Sequence, residues 1–188
     1  MSRSSRRTVA PLPAATTRSV GEATILDDDG TLYLAGRSWD LDATIDRPEG
    51  AGGVLYASGT ANSGLSLFVQ DDHLVFDYNC FGDHQIVTSD VAVPTGRSVV
   101  GVRFRRDGDT AVATVVVDGT EAGSVDIPFA MRIMSSVGPS VGYDHGSPVS
   151  RSYDHEFAFE GTLERVDIAL VAPGAAAAAT AEAAADAE

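Results

Sequence analysis

The side chains best suited to chemistry gather in one stretch, Val141–Tyr153, which reads VGYDHGSPVSRSY. Asp144 opens a glycine-containing loop, with Ser147, Ser150 and Asp154 following it. Hard cations take oxygen ligands from carboxylates and carbonyls in loops of this kind, so a calcium ion at a rim would call first on Asp144 and Asp154. The competing expectation is that Asp144 caps a turn through nearby backbone, as aspartate commonly does. Tyr143, His145 and Tyr153 flank the same loop and, with Tyr78 and Asn79, lie near strand ends or in loops, where they are candidates for holding a ligand. For each tyrosine the alternative is a buried ring whose hydroxyl is hydrogen-bonded.

Other constellations stop short of a reaction centre. Asp40, Asp42 and Asp46 alternate along one strand face. A retaining glycosidase needs two carboxylates about 5–5.5 Å apart, but this segment has no glutamate and departs from the E-x-D-x-E spacing. It is expected to be a solvated outer face, as are Glu156, Glu160 and Glu164. His73, His84, His145 and His155 form no H-x-H or H-x-x-x-H pair, which argues against zinc. No G-x-S-x-G nucleophile elbow occurs. The run Asp27-Asp28-Asp29-Gly30 lacks the spaced ligands of an EF-hand and reads as a surface turn. Cys80 is the only cysteine, which excludes an internal disulfide framework. It reads as a small buried hydrophobe that His84 could approach.

The elements that must position these groups are strands. Trp39, Leu41, Ala43 and Ile45 alternate with polar neighbours, the period of two of a half-buried strand. Val100–Phe104, Ala113–Val117 and Val166–Leu170 repeat the pattern, and Leu65–Gln70 and Leu74–Tyr78 are further strands. Asp29-Gly30, Asp71-Asp72, Asp107-Gly108 and Asp118-Gly119 supply the turns between such runs. Helical spacing is confined to Phe129–Ser135 and the alanine-rich end. The expectation is an all-β fold, two antiparallel sheets closing over one core in a jelly-roll sandwich.

Length and charge bound the function. The chain has 188 residues and a net charge of −14, and all 13 of its basic residues are arginines. Such acidity argues against a nucleic-acid binder, which needs clustered cations. No apolar run approaches a membrane span. Residues 1–19 hold four arginines and no acid, and Pro11 and Pro13 interrupt the only apolar stretch a signal peptide could use. They are expected to be a disordered arm, residues 20–172 the sandwich, and residues 173–188 a disordered acidic tail rich in alanine. With a single cysteine and no signal sequence, a cytoplasmic location is favoured.

Three segments carry a resemblance. Ser63–Asn79 (SGLSLFVQDDHLVFDYN), the D-x-G-S-P-V run at Asp144–Val149 and the F-x-G-T-L-x-x-V run at Phe159–Val166 resemble the C-terminal β-sandwich of bacterial arylsulfatases. More broadly they look like concanavalin A-like, laminin-G-like sandwiches. The resemblance implies a non-catalytic accessory module beside a sulfatase-type catalytic domain. A sulfatase makes its formylglycine from a C-x-P-x-R motif, whereas Cys80 stands in Cys80-Phe81-Gly82-Asp83-His84. The alternative is a lectin-like carbohydrate-binding domain with a rim calcium, where Arg103, Arg105 and Arg106 would have to offset the acidic surface for a sulfated ligand.

Overall fold

The computed structural model describes Leu34, residues 36–131 and residues 137–171. The expected arm and tail, the Asp29-Gly30 turn and most of the helical candidate Phe129–Ser135 lie outside the described residues. Phe129–Met131 are not helical, and no helix occurs among the described residues.

Ten strands form two five-stranded antiparallel sheets, giving the jelly-roll sandwich expected. The first sheet runs in the order β10 (Thr162–Val171), β1 (Ser38–Arg47), β6 (Gly96–Asp107), β7 (Thr110–Val117), β8 (Thr120–Ile127). The second runs β5 (Asp83–Ala92), β4 (His73–Cys80), β3 (Ser63–Gln70), β2 (Gly53–Thr60), β9 (Ser140–Val141). Two-residue turns set the register of the β3–β4, β4–β5 and β7–β8 hairpins. Their residues Asp71 and Asp72, Phe81 and Gly82, and Asp118 and Gly119 all have positive φ, the geometry whose twist matches paired strands.

Alternation becomes a core in the first sheet. Trp39, Leu41, Ala43 and Ile45 point inward from β1, beside Val100, Val102 and Phe104 of β6, and are buried. Trp39 stacks on Phe104 at 5.0 Å and meets Phe76 of the second sheet edge-on at 6.4 Å. Tyr78 stacks on Phe104 from the second sheet, and its hydroxyl accepts the Met131 N–H at 2.7 Å. A buried tyrosine needs such a partner. Tyr78 is therefore a core residue.

The outer face of the first sheet is a lattice of ion pairs. Arg103 reaches Asp42 at 2.9 Å and Asp40 at 3.8 Å, Arg105 also pairs with Asp40, and Arg165 pairs with Asp167 at 2.6 Å. Asp40 and Asp42 are thus neutralised by cross-strand arginines, where hydrated carboxylates were expected. Equally, Arg103 and Arg105 are not available to attract a sulfated ligand, and Arg106 lies 3.5 Å from Asp109. The register explains this: Asp40 faces Arg103 across the β1–β6 pair, close enough for opposite charges to attract.

Candidate functional site

A strand that reads as a continuous buried run has both faces covered. In β3, Ser63–Val69 are all buried, and in β4, Leu74–Asn79 are. One cover is the first sheet. The other is the segment between β9 and β10, residues 142–161. Backbone hydrogen bonds tack it along β2, from Val54 N–H to Phe157 O, Gly142 N–H to Leu55 O and Glu160 N–H to Gly52 O. Tyr153 and Phe157 then pack on Val54, Ala57, Phe68 and Val75 of the outer face. The Tyr153 ring meets Phe68 edge-on at 5.0 Å and stacks on Phe157 at 5.2 Å.

Three polar clusters hold this cover down. In the first, Asp144 is 2 % exposed, and its Oδ2 accepts the Val149 N–H at 2.7 Å and the Tyr153 hydroxyl at 2.6 Å. With the Tyr153 proton given to Asp144, Ser66 donates to the Tyr153 oxygen at 2.8 Å. Burial first, and the Asp144 hydrogen bond second, push the Tyr153 hydroxyl to a higher pKa. In the second cluster, fully buried Asn79 clamps three turns together. Its Nδ2 donates to Ala61 O and Val149 O at 3.0 Å each, and its Oδ1 accepts the Gly82 N–H at 2.8 Å.

The third cluster centres on Asp77, which is buried on the outer face beside Ser66. Both its carboxylate oxygens lie 2.9 Å from His84 Nδ1, and the Ser150 side chain also bonds to it. Burial raises the Asp77 carboxyl above the usual carboxylate range, against the pull of Ser150 and then His84. The carboxylate places a proton on Nδ1 of the imidazole. His84 Nε2 is buried and has no hydrogen-bond partner among the described residues, in a side chain that is 9 % exposed.

The candidates singled out in the sequence separate accordingly. Asp144 and Tyr153 come together, but as internal partners under the cover. Tyr143 is 39 % exposed, and His145 and Asp154 are exposed. Asn79 is a clamp and Tyr78 belongs to the core. Cys80 packs toward the inter-sheet core, whereas His84, paired across from Asn79, lies on the opposite face. The expected approach of His84 to the thiol therefore does not occur. Burial, then the nearby Asp83, push the Cys80 thiol up, away from the thiolate that reacts.

Calcium takes six to eight oxygens. At Asp144, one carboxylate oxygen already accepts two hydrogen bonds, and no group of three His, Cys, Asp or Glu side chains is placed to hold a metal among the described residues. Oδ2 of Asp144 is thus committed to internal partners.

Asp77, Ser66, His84 and Ser150 were not singled out as a group from the sequence. One signal was present: a carboxylate and an amide in the apolar run Leu74–Asn79 can be buried only if something polar covers them.

Where the cover crosses the end of the second sheet, three turns meet. They are Ala61–Asn62, whose Ala61 N–H donates to Ser147 Oγ at 3.2 Å, Phe81–Gly82, and the loop 143–151. Phe81 there has its ring 68 % exposed and Arg151 lies against Gly82, while Tyr143 and His145 are exposed along the loop. Six of the eight described arginines form ion pairs, and Arg37 and Arg151 do not. At the other end of the sandwich, an open depression is bordered by Asp46, Glu49 and Asp72. Buried Arg47 at its base is satisfied by Asp72 and the carbonyls of Ala51, Val93 and Pro94.

No protein-family model matches the chain, and no curated protein matches it. Among solved structures it is similar to a native heptameric SAP-like pentraxin from Limulus polyphemus, at 14% identity over 72% of this chain and 66% of that one, with a TM-score of 0.49. It is also similar to the carbohydrate binding module CBM66 from Bacillus subtilis, at 11% identity over 74% and 79%, with a TM-score of 0.45. A third similar structure is domains LG4-5 of the mouse laminin α1 chain, at 18% identity over 85% and 45%, with a TM-score of 0.46. The chain spans less than two thirds of the pentraxin and of the laminin chain. Arylsulfatase kinship finds no support in these comparisons. The likeness is one of architecture: this chain is an antiparallel two-sheet β-sandwich.

Proposed function

We propose that the chain is a non-catalytic β-sandwich module that binds carbohydrate where the turns Ala61–Asn62 and Phe81–Gly82 meet the loop 143–151. One observation carries this reading. The groups able to do acid–base chemistry there are locked beneath the cover, Asp144 and Tyr153 as each other's partners and Asp77 by His84 and Ser150, while Phe81, Tyr143 and His145 are left facing water. Rigid backing with exposed aromatic and polar tips suits recognition, since a preorganised surface loses little conformational freedom on binding.

A glycan array probed with the full chain, followed by titration of any hit, tests the reading. Tyr143→Ala is expected to weaken the hit about tenfold or more without changing the melting temperature. An array with no retained glycan, or an ester or glycoside hydrolysed by the purified chain, refutes it.

The accessory reading, docking beside a sulfatase-type catalytic domain, has less behind it. It calls for an apolar sheet face. Over β1 and β6 the outer face of the first sheet carries cross-strand ion pairs, and over β2–β4 that of the second is covered by residues 142–161, which leaves only scattered exposed side chains such as Ile86 and Val112.

A further inference from the structure

An unpaired cation and a buried, unpartnered imidazole nitrogen border one turn. Arg151 has no ion-pair partner among the described residues, and its Nη2 lies 3.4 Å from where a Cβ on Gly82 would stand. His84, two residues beyond Gly82, has a buried and unpartnered Nε2 while Asp77 holds its Nδ1. Phe81, the other residue of that turn, is held at φ 54°, with its ring 68 % exposed. A bulky residue in that conformation is strained, and such outliers collect at functional sites. Asparagine or glycine is the usual occupant of the position.

Resting on the binding reading above, we infer that Phe81, His84 and Arg151 form a subsite for a sugar bearing a carboxylate or sulfate. The ring face of the sugar lies on Phe81, and its anionic group takes the planar fork of Arg151, which matches such groups in two parallel hydrogen bonds. His84 Nε2, buried and without a partner, borders the same turn. Arg151 is exposed, and its charge already acts on Asp77, which holds the other nitrogen of His84. Nothing in this arrangement uses calcium.

Titration calorimetry of the full chain with an oligogalacturonate, a sulfated oligogalactan and a neutral oligogalactan of equal length tests the assignment. The two acidic oligomers separate carboxylate from sulfate, and either or both are expected to bind at least about tenfold tighter than the neutral one, the worth of one charge-assisted hydrogen bond. Arg151→Gln is expected to remove that advantage together with its salt dependence. Phe81→Ala is expected to weaken the acidic oligomers several-fold. Both side chains are exposed, so thermal unfolding should confirm that the variants fold. Acidic binding unchanged in Arg151→Gln overturns the subsite, as does neutral binding of equal strength. Should the neutral oligomer bind and respond to Tyr143→Ala alone, the binding module stands and the subsite falls. If all three sugars fail and the array is also blank, both fall.

Discussion

Raising the pH toward 12 should unfold this protein through its buried tyrosines. Arginine stays charged in that range, and the chain contains no lysine, so few other groups exchange protons between pH 10 and 12. Burial pushes the Tyr78 hydroxyl up to about 12 from an ordinary 10.0. Burial raises Tyr56 and Tyr153 in the same direction. The unfolded chain therefore gives up these protons first, binds fewer of them than the folded chain, and stability falls as pH rises. Tyr78 alone contributes about 2.7 kcal/mol below pH 10 that is gone above pH 12, since a proton held across that interval is worth about 1.4 kcal/mol for every pH unit. With three tyrosines the slope approaches about 4 kcal/mol per pH unit near pH 11, which exhausts an ordinary stability of about 5–15 kcal/mol within two or three units. Urea unfolding at stepped pH, followed by circular dichroism and by phenolate absorbance, measures both quantities. Ionisation of these three tyrosines should coincide with loss of sheet signal. Tyr78→Phe should reduce the slope by one proton, while costing about 1 kcal/mol at neutral pH for the orphaned Met131 N–H. Native sheet persisting after the three have ionised, or equal stability at pH 9 and pH 11, refutes the reasoning.

Three further outcomes follow from the site. Asn79→Ala removes a clamp of three hydrogen bonds and strands buried backbone groups, so urea unfolding should show a loss of about 3 kcal/mol. Phe81→Asn relieves the positive φ of a bulky residue and should gain about 1 kcal/mol of stability, while weakening acidic sugars in the same titration that tests the subsite. Adding calcium or a chelator should leave the melting temperature unchanged, because Oδ2 of buried Asp144 is filled by the Val149 N–H and the Tyr153 hydroxyl; a shift of several degrees on adding calcium would contradict that.

Periodicity by itself determined the sandwich. Apolar positions two apart at Trp39–Ile45 and Val100–Phe104 can be buried only on one face of a strand, and Asp71-Asp72 and Asp118-Gly119 tolerate the left-handed backbone that hairpins need. These are local properties, legible without knowing what lies opposite. The site was less so. Asp144 and Tyr153 were visible as polar residues nine apart, but Ser66, 87 residues from Tyr153, completes their cluster only because β3 passes beneath the loop. His84 reads equally well as a neighbour of Cys80 or of Asp77 until the pleat sends alternate side chains to opposite faces. The arginines of β6 likewise read as free cations until the register set Asp40 and Asp42 against them. Which groups are paired, and which are left for a ligand, is a matter of long-range contact, and only the folded chain decides it.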